Sequence, residues 1–289
     1  MYTLSKYDLG NVIEYEFTYA GNYGAKGEKR LKKKKATPEQ IKKQNQANKV
    51  KKLRREIEAN FKEGDIWLTL TYGKDKRKSI DGVQKDVEKF TARLRAEYKK
   101  NGQVLKWVRR IEIGARGAMH AHMLINDLDG QPIAKLISKY WPHGFVELKP
   151  IDDNPRDTLA EYITKLPTES QLNMLKSLGC ENEVKKIIRY STSRNLVRPE
   201  PEKTDYSHRT MRSIFNNPLV PTKGFYIDKH SIKQGINPFT RMSFLKYTER
   251  KLKKGLSPNP IQLFECPICH QFSIEGLKCN CQRRMRKRR

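Results

Sequence analysis

The hydrophobic periodicity switches repeatedly between residues 65 and 166, and this order of switches constrains the fold more than any other feature. Alternating apolar residues predict strands, and apolar residues three or four apart predict helices. The pattern predicts strands at 65–73, 104–114, 119–126 and 144–152, and helices at 79–100, 132–140 and 154–166. The order β-α-β-β-α-β-α is that of a split βαβ, ferredoxin-like or RRM-like α+β fold, with helices on one face of an antiparallel sheet.

The segment before this domain is strongly basic. We place the domain at residues 63–200, and residues 1–62 are predicted to hold short strands, a basic linker at 29–35 and a basic helix. The helix begins at the capping box Thr37-Pro-Glu-Gln and runs to about Phe61. Its basic face is either a solvated surface or an arm that contacts phosphates.

The net charge of the chain predicts a polyanionic partner. Sixty Lys and Arg against 32 Asp and Glu give a formal net charge of +28. A surface of this kind neutralises phosphates with release of counterions. Nucleic acid is therefore favoured, although ribosomal and membrane-surface proteins can be equally basic.

The apolar runs are short throughout the sequence. None approaches the roughly 20 residues that a transmembrane helix needs. The N-terminus MYTLSKYDLG lacks the uninterrupted apolar stretch of a signal peptide. These features predict a cytoplasmic protein without a membrane partner, in which clustered cysteines are expected to bind metal rather than form disulfides.

Two histidines on one predicted strand are the first candidate site. His120 and His122 are two residues apart, so their side chains share a face of the sheet and can converge on one ion. Glu112 lies on the preceding strand, and a turn centred on Arg116 places it opposite His120. Two imidazoles and a carboxylate suit Mg²⁺ or Mn²⁺. A turn of odd register would put Glu112 on the other face and remove it from this set.

A tyrosine and a lysine on the last helix of the domain are the second candidate pair. Tyr162 and Lys165 are three residues apart and are neighbours on one side of the helix. A phenol nucleophile needs a cation nearby to stabilise its anion, and Lys165 can serve that need or neutralise a phosphate. Taken alone, the pair is equally an ordinary boundary tyrosine beside a solvated lysine.

The C-terminal residues form a separate segment. Residues 201–262 are predicted to be an accessory extension with a basic helix near 241–254, so both flanking segments carry helical extensions. In residues 263–289 four cysteines predict a small structural zinc knuckle, with His270 as an alternative ligand and free thiols as the alternative state: Cys266, Cys269, Cys279 and Cys281. The tail QRRMRKRR after them is expected to be a basic DNA-binding arm.

Three motifs of the predicted domain resemble those of the HUH endonuclease superfamily. They are WLTLTY at 67–72, GAMHAHMLI at 117–125 and EYITK at 161–165. The likeness is greatest to rolling-circle replication initiators, the replication-associated proteins of filamentous-phage gene II type. The segment Tyr190-Ser-Thr-Ser-Arg-Asn-Leu also resembles one found after that domain. The resemblance covers about residues 65–200.

The resemblance implies an enzyme that nicks DNA. A metal at His120, His122 and Glu112 would polarise the scissile phosphate, and Tyr162 would attack it to give a 5′-phosphotyrosine and a free 3′-OH. The implied partners are single-stranded or origin DNA of a phage or plasmid, with a host replication helicase and polymerase. Gene II type initiators often carry a second tyrosine one turn earlier, where this sequence has Thr158. A single-tyrosine enzyme is therefore expected.

Two other function classes remain open from the sequence. A non-catalytic RRM-like or zinc-containing protein would also bind nucleic acid. HUH relaxases and transposases share the chemistry, but relaxases usually place the tyrosine before the histidines, and small transposases lack a long basic, cysteine-bearing extension. Nicking of an origin plasmid, as opposed to retardation alone, distinguishes the enzyme from the binding protein.

Overall fold

The chain divides into two compact units in the computed structural model. One unit comprises residues 1–41 and 199–289, and the other comprises Lys42–Arg198. The structure describes residues 2–19, 36–76, 78–114, 117–152, 157–177, 187, 189–206, 214, 216–237, 242–253, 258, 260–265 and 272–274.

Strands outnumber helices in the described residues. In chain order the strands are β1 (Tyr2–Asp8), β2 (Val12–Tyr19), β3 (Ile66–Thr71), β4 (Trp107–Ile113), β5 (Met119–Ile125), β6 (Val146–Pro150), β7 (Tyr190–Thr192), β8 (Glu202–Tyr206), β9 (Phe225–Ile227), β10 (Lys233–Ile236), β11 (Ser243–Lys251), β12 (Leu263–Glu265) and β13 (Phe272–Ile274). The α-helices are α1 (Pro38–Asn60), α2 (Ile80–Lys100), α3 (Ile133–Tyr140), α4 (Asp157–Thr164) and α5 (Glu169–Ser177).

The unit Lys42–Arg198 is built on a five-stranded antiparallel sheet of order β6-β3-β5-β4-β7. The order of its elements from β3 to α4 is the predicted β-α-β-β-α-β-α, and the predicted α+β class is confirmed. The predicted capping box at the start of α1 also forms, because Thr37 exchanges hydrogen bonds with Gln40. In addition, the Ser79 side chain caps α2.

Helices cover both faces of this sheet, so the expectation of helices on one face is wrong. Helices α2 and α3 pack on the face that carries Leu68 and Met123. On the opposite face, α1 and α4 bury Leu53 and Ile163 in a second cluster with Val108 of β4. The central strands carry apolar residues on both sides, and both sides therefore need cover. The second face is the one that carries the candidate site.

The other unit contains a sheet of order β10-β11-β2-β1-β8, with β9 also paired to β11. Strands from the N-terminal segment thus pair with strands from the C-terminal extension, for example Tyr15 with Tyr247, whose rings stack 4.8 Å apart. The predicted helix near 241–254 is wrong, because residues 243–251 are strand β11. Its side chains alternate between buried and half-buried, with Leu245 and Tyr247 inward and Lys246 between them, which is strand periodicity.

Two further observations concern segments outside the domain. Strands β12 and β13 form a hairpin, but the predicted zinc ligands and the basic tail lie outside the described residues. In the part of the chain that the structure describes, no helix is long and apolar enough to cross a membrane.

Candidate metal and tyrosine site

The β4–β5 hairpin brings three metal-ligand side chains together. Glu112 pairs directly with His120, as the turn centred on residue 116 predicts, and Arg110 pairs with His122. Residues directly opposite each other in a sheet share a face. Glu112, His120 and His122 therefore point the same way, and their ligand atoms all lie within 4.8 Å of one another. Among the described residues, they are the group of His, Cys, Asp and Glu side chains that can hold an ion.

Both imidazoles present Nε2 to the same carboxylate oxygen. Glu112 Oε2 lies 3.9 Å from His120 Nε2 and 3.5 Å from His122 Nε2. The other ring nitrogen of His122 is 3.1 Å from the hydroxyl of Thr69 on the neighbouring strand β3. The indole of Trp67 stacks against the His122 ring at a centroid distance of 5.4 Å and an interplanar angle of 5°. These contacts fix the orientation of His122 before any ligand arrives.

The pKa shifts of His120 and Glu112 favour the binding of a divalent cation. Burial, followed by the charge of His122, lowers the pKa of His120, which keeps that imidazole neutral and able to ligate. A metal requires neutral imidazoles and an ionised carboxylate. The Glu112 side chain is only 4% exposed, yet it is held in the ionised form by the contacts described next. The set of two nitrogens and one carboxylate leaves further coordination positions for oxygen ligands.

Hydrogen bonds stabilise the carboxylate of Glu112. Burial alone raises its pKa, but hydrogen bonds from His122, Lys165 and Gln171 outweigh burial and hold the pKa well below its ordinary value. Lys165 Nζ lies 2.7 Å and Gln171 Nε2 lies 2.9 Å from the same oxygen, Oε1. The other oxygen, Oε2, faces the histidines. One side of the carboxylate is thus anchored while the other side faces the candidate metal position.

The hydroxyl of Tyr162 lies against this group. It is 2.8 Å from His122 Nε2 and donates to Glu112 Oε2 at 3.1 Å. Its ring meets the Trp67 ring edge to face. Burial, and then the negative charge of Glu112, raises the pKa of Tyr162 above its ordinary value. The protein alone therefore keeps the phenol protonated, and ionisation needs additional positive charge at this position.

Lys165 contacts the carboxylate and the ring of the tyrosine. Its ammonium group pairs with Glu112 and lies 4.1 Å from the centroid of the Tyr162 ring. The side chain is 36% exposed, so one side of the charge remains accessible to solvent. This arrangement differs from the fully solvated lysine of the simplest sequence interpretation.

Arg110 positions the helix that carries Tyr162, and the sequence analysis missed it. Its guanidinium is buried and donates from Nη1 to three backbone carbonyls at the end of α4, those of Tyr162 (3.3 Å), Ile163 (2.9 Å) and Lys165 (2.6 Å). A cation at this end of a helix satisfies its last carbonyls and complements the helix dipole. The signal was present in the sequence, because an arginine two residues before Glu112 must share its sheet face.

Helix α4 ends before the predicted position. It stops at Thr164 instead of Leu166, and Leu166 is 43% exposed. Pro167 follows, and a residue before proline is disfavoured in helical conformation. Thr158, which stands where related initiators often have a second tyrosine, is exposed one turn before Tyr162.

Gln171 is a second contributor, and in the sequence it is the last residue of a capping-box pattern, Thr168-Glu-Ser-Gln. The capping box forms at the start of α5, where Gln171 Oε1 accepts from the Thr168 backbone. Its Nε2 donates both to Glu112 Oε1 and to the Ile113 carbonyl at 2.7 Å. One amide therefore joins the start of α5 to the strand that carries Glu112. Capping chemistry already accounted for the residue, so no sequence signal pointed to the second role.

Comparison with known proteins gives one informative result. No curated protein and no solved structure matches the chain. A family model for the replication-associated protein of ORF2 and gene II protein type matches residues 65–167. This segment contains the paired histidines, Glu112, Arg110 and Tyr162, whereas Gln171 and helix α1 lie outside it. In the segment that carries the candidate site, the chain is therefore similar to this family of replication-associated proteins.

Proposed function

We propose that the protein is a site-specific single-strand DNA endonuclease and strand transferase that initiates rolling-circle replication of a phage or plasmid. The observation that carries the proposal is the position of the Tyr162 hydroxyl, 2.8 Å from His122 Nε2 and 3.1 Å from Glu112 Oε2. A nucleophile is useful only within reach of the group that activates the scissile phosphate. The family description, which names replication, supports the same proposal.

In the proposed reaction Tyr162 Oη attacks the scissile phosphorus. The bond from Oη to phosphorus forms as the bond from phosphorus to the 3′ oxygen breaks. The phenolic proton passes to solvent water, and the leaving 3′ oxygen takes up a proton from solvent. The products are a 5′-phosphotyrosine and a free 3′-OH that primes synthesis. Reversal by another 3′-OH rejoins a strand and restores the tyrosine.

Mg²⁺ or Mn²⁺ is the proposed cofactor, with His120, His122 and Glu112 as its ligands. Such an ion would polarise the phosphate. It would also supply the positive charge that Tyr162 needs in order to ionise, because the protein raises the pKa of this tyrosine. Lys165 keeps Glu112 ionised and presents its solvent-accessible side to an incoming phosphate. Because Thr158 occupies the earlier position, we propose that the enzyme has a single nucleophilic tyrosine.

The remaining roles are proposals from the sequence. A structural zinc ion at Cys266, Cys269, Cys279 and Cys281 would order a small knuckle beside the basic tail. We propose origin DNA as the substrate, and a host replication helicase and polymerase as partners that act on the released 3′ end. Contact with DNA and the cleavage chemistry would then be divided among four segments of the chain, residues 1–62, 63–200, 201–262 and 263–289.

The test is covalent capture of DNA. The protein is incubated with Mn²⁺ and an origin strand labelled so that the transferred phosphate carries ³²P. The expected result is a protein–DNA adduct that survives denaturation and maps to Tyr162. Tyr162→Phe should abolish it while DNA binding is kept, and His120→Ala should abolish it through loss of the cation.

Tyr190→Phe is the matched control, because Tyr190 belongs to the hydrophobic cluster on the same sheet face and pairs with Arg110. It should leave adduct formation intact. An adduct on Tyr190 would refute the assignment of Tyr162 but keep the enzyme class. Absence of any adduct with Mg²⁺ or Mn²⁺, together with retained DNA binding, would favour the non-catalytic binding protein instead.

A further inference from the structure

Helix α1 lies on the same sheet face as the candidate site. Its inward residues, Leu53 and Ile57, are fully buried in the cluster that also contains Ile163 of α4. About two turns before Leu53, Gln46 Nε2 donates to the carbonyl of Thr164 at 2.8 Å. Thr164 is two residues after Tyr162 and is the last residue of α4. The part of α1 around Gln46 therefore runs beside the end of the helix that carries Tyr162.

The first half of α1 carries exposed positive charge next to this contact. Lys42 and Lys43 stand one helical turn before Gln46, about 6 Å of rise along the axis, and both are exposed. Residues 40–55 contain seven basic residues and no acidic residue, so this segment supplies no acidic partner of its own. Like charges at such spacing cost a helix stability.

The helix on the opposite face has a different charge pattern. Helix α2 also exposes lysines, namely Lys85, Lys89 and Lys99, but its sequence interleaves four acidic residues with them. It packs on the sheet face away from His120 and His122. The helix that borders the tyrosine thus has a run of positive charge in residues 40–55, and its acidic residues, Glu39, Glu56 and Glu58, lie outside this run. On the helix behind the sheet, acidic and basic residues are interleaved.

We infer that Lys42 and Lys43 of α1 form a contact surface for the phosphate backbone of the single DNA strand whose scissile phosphate is at Tyr162. This inference rests on the proposed function. It specifies the path of the bound DNA strand, which runs along α1 and not along α2. Lysine ammonium groups bind phosphates as point charges without reading bases. The surface would hold the strand in place, while sequence would be read elsewhere.

The experiment compares two double variants of the full-length protein. K42Q/K43Q neutralises the α1 surface, and K85Q/K89Q removes the same charge from α2. Glutamine keeps helix propensity near that of lysine, and thermal unfolding verifies that both variants remain folded. Affinity for a fluorescent origin strand is measured without divalent metal between 0.05 and 0.3 M NaCl, so that binding is recorded without cleavage.

The α1 variant should lose about 1.4 from the slope of log affinity against log salt, at roughly 0.7 for each of two single-strand phosphate contacts, and should bind about 25-fold more weakly at 0.1 M salt. The α2 variant should stay within about threefold of wild type, and K42R/K43R should restore binding. Equal losses in both variants, or none in either while wild type binds, would overturn the inference. Adduct formation by wild type is measured on the same preparation. A wild type that binds the strand but forms no adduct refutes the proposed nicking activity instead.

Discussion

Gln171→Met should weaken the binding of Mn²⁺ by Glu112, His120 and His122, although Gln171 is not itself a proposed metal ligand. The substitution removes an amide that donates to Glu112 Oε1 at 2.9 Å and to the Ile113 carbonyl at 2.7 Å, while it keeps the length of the side chain. A hydrogen bond to a charged group contributes about 1.5–3 kcal/mol. Loss of an outer contact to a metal ligand typically costs about 10- to 100-fold in affinity. The free-energy range and the affinity range agree with each other. Because Lys165 still donates to Glu112 Oε1 in the variant, we expect a loss of Mn²⁺ affinity in the lower part of the range, about 10- to 30-fold.

The assay is calorimetric titration of Mn²⁺ into the protein without DNA. Thr168→Ala is the matched control, because it removes the hydroxyl that accepts from the Gln171 backbone but leaves the Gln171 amide on Glu112. It should cost about 1 kcal/mol of stability as a lost cap and leave Mn²⁺ affinity unchanged. Equal Mn²⁺ affinities for Gln171→Met and wild type would refute the reasoning. So would an equal loss in Thr168→Ala, which would assign the effect to the start of α5 instead of the amide.

Three further outcomes are expected. Arg110→Met should reduce adduct formation about 100-fold by displacing the end of α4, without weakening Mn²⁺ binding; loss of Mn²⁺ binding as well would contradict a positioning role. Burial opposes ionisation of Asp86, but hydrogen bonds led by that of Lys78 outweigh it and lower its pKa, so its contribution is present at neutral pH and disappears as the pH falls below about 4. The stability gap between wild type and Asp86→Asn, measured by urea unfolding, should therefore shrink on acidification, and a gap that grows would contradict the sign. Elemental analysis of protein purified in metal-free buffer should find about one zinc ion per chain, and Cys266→Ser should lose it. A wild-type protein without zinc would exclude the zinc knuckle.

Local patterns predicted the central domain well. The order of its elements follows from apolar periodicity, and the pairing of Glu112 with His120 follows from the centre of the turn between them. Both are short-range properties, which a sequence encodes directly. For that reason the sequence alone predicted that Glu112, His120 and His122 lie close together on one face of the sheet.

Long-range pairing accounts for what was missed. The contact between β2 and β11 joins residues more than 200 positions apart, and nothing in VIEYEFTYA specifies SFLKYTERK as its partner. The basic residues of β11 suggested an exposed helix, although Leu245 and Tyr247 already alternate with Lys246 and Thr248. The sequence indicated that Arg110 shares a sheet face with Glu112, but it did not indicate which groups Arg110 contacts, because those groups are backbone carbonyls, which every residue has.

The guanidinium of Arg110 has a mechanical consequence. Helix α4 has only eight residues, too few to be stable alone, and its end is fastened to β4, a strand paired on both sides within the sheet. A DNA end joined to Tyr162 would thus be anchored to the sheet, and tension on that strand would be carried by β4 and not absorbed by the helix. The phosphate would stay beside the histidines under load, ready for the rejoining step.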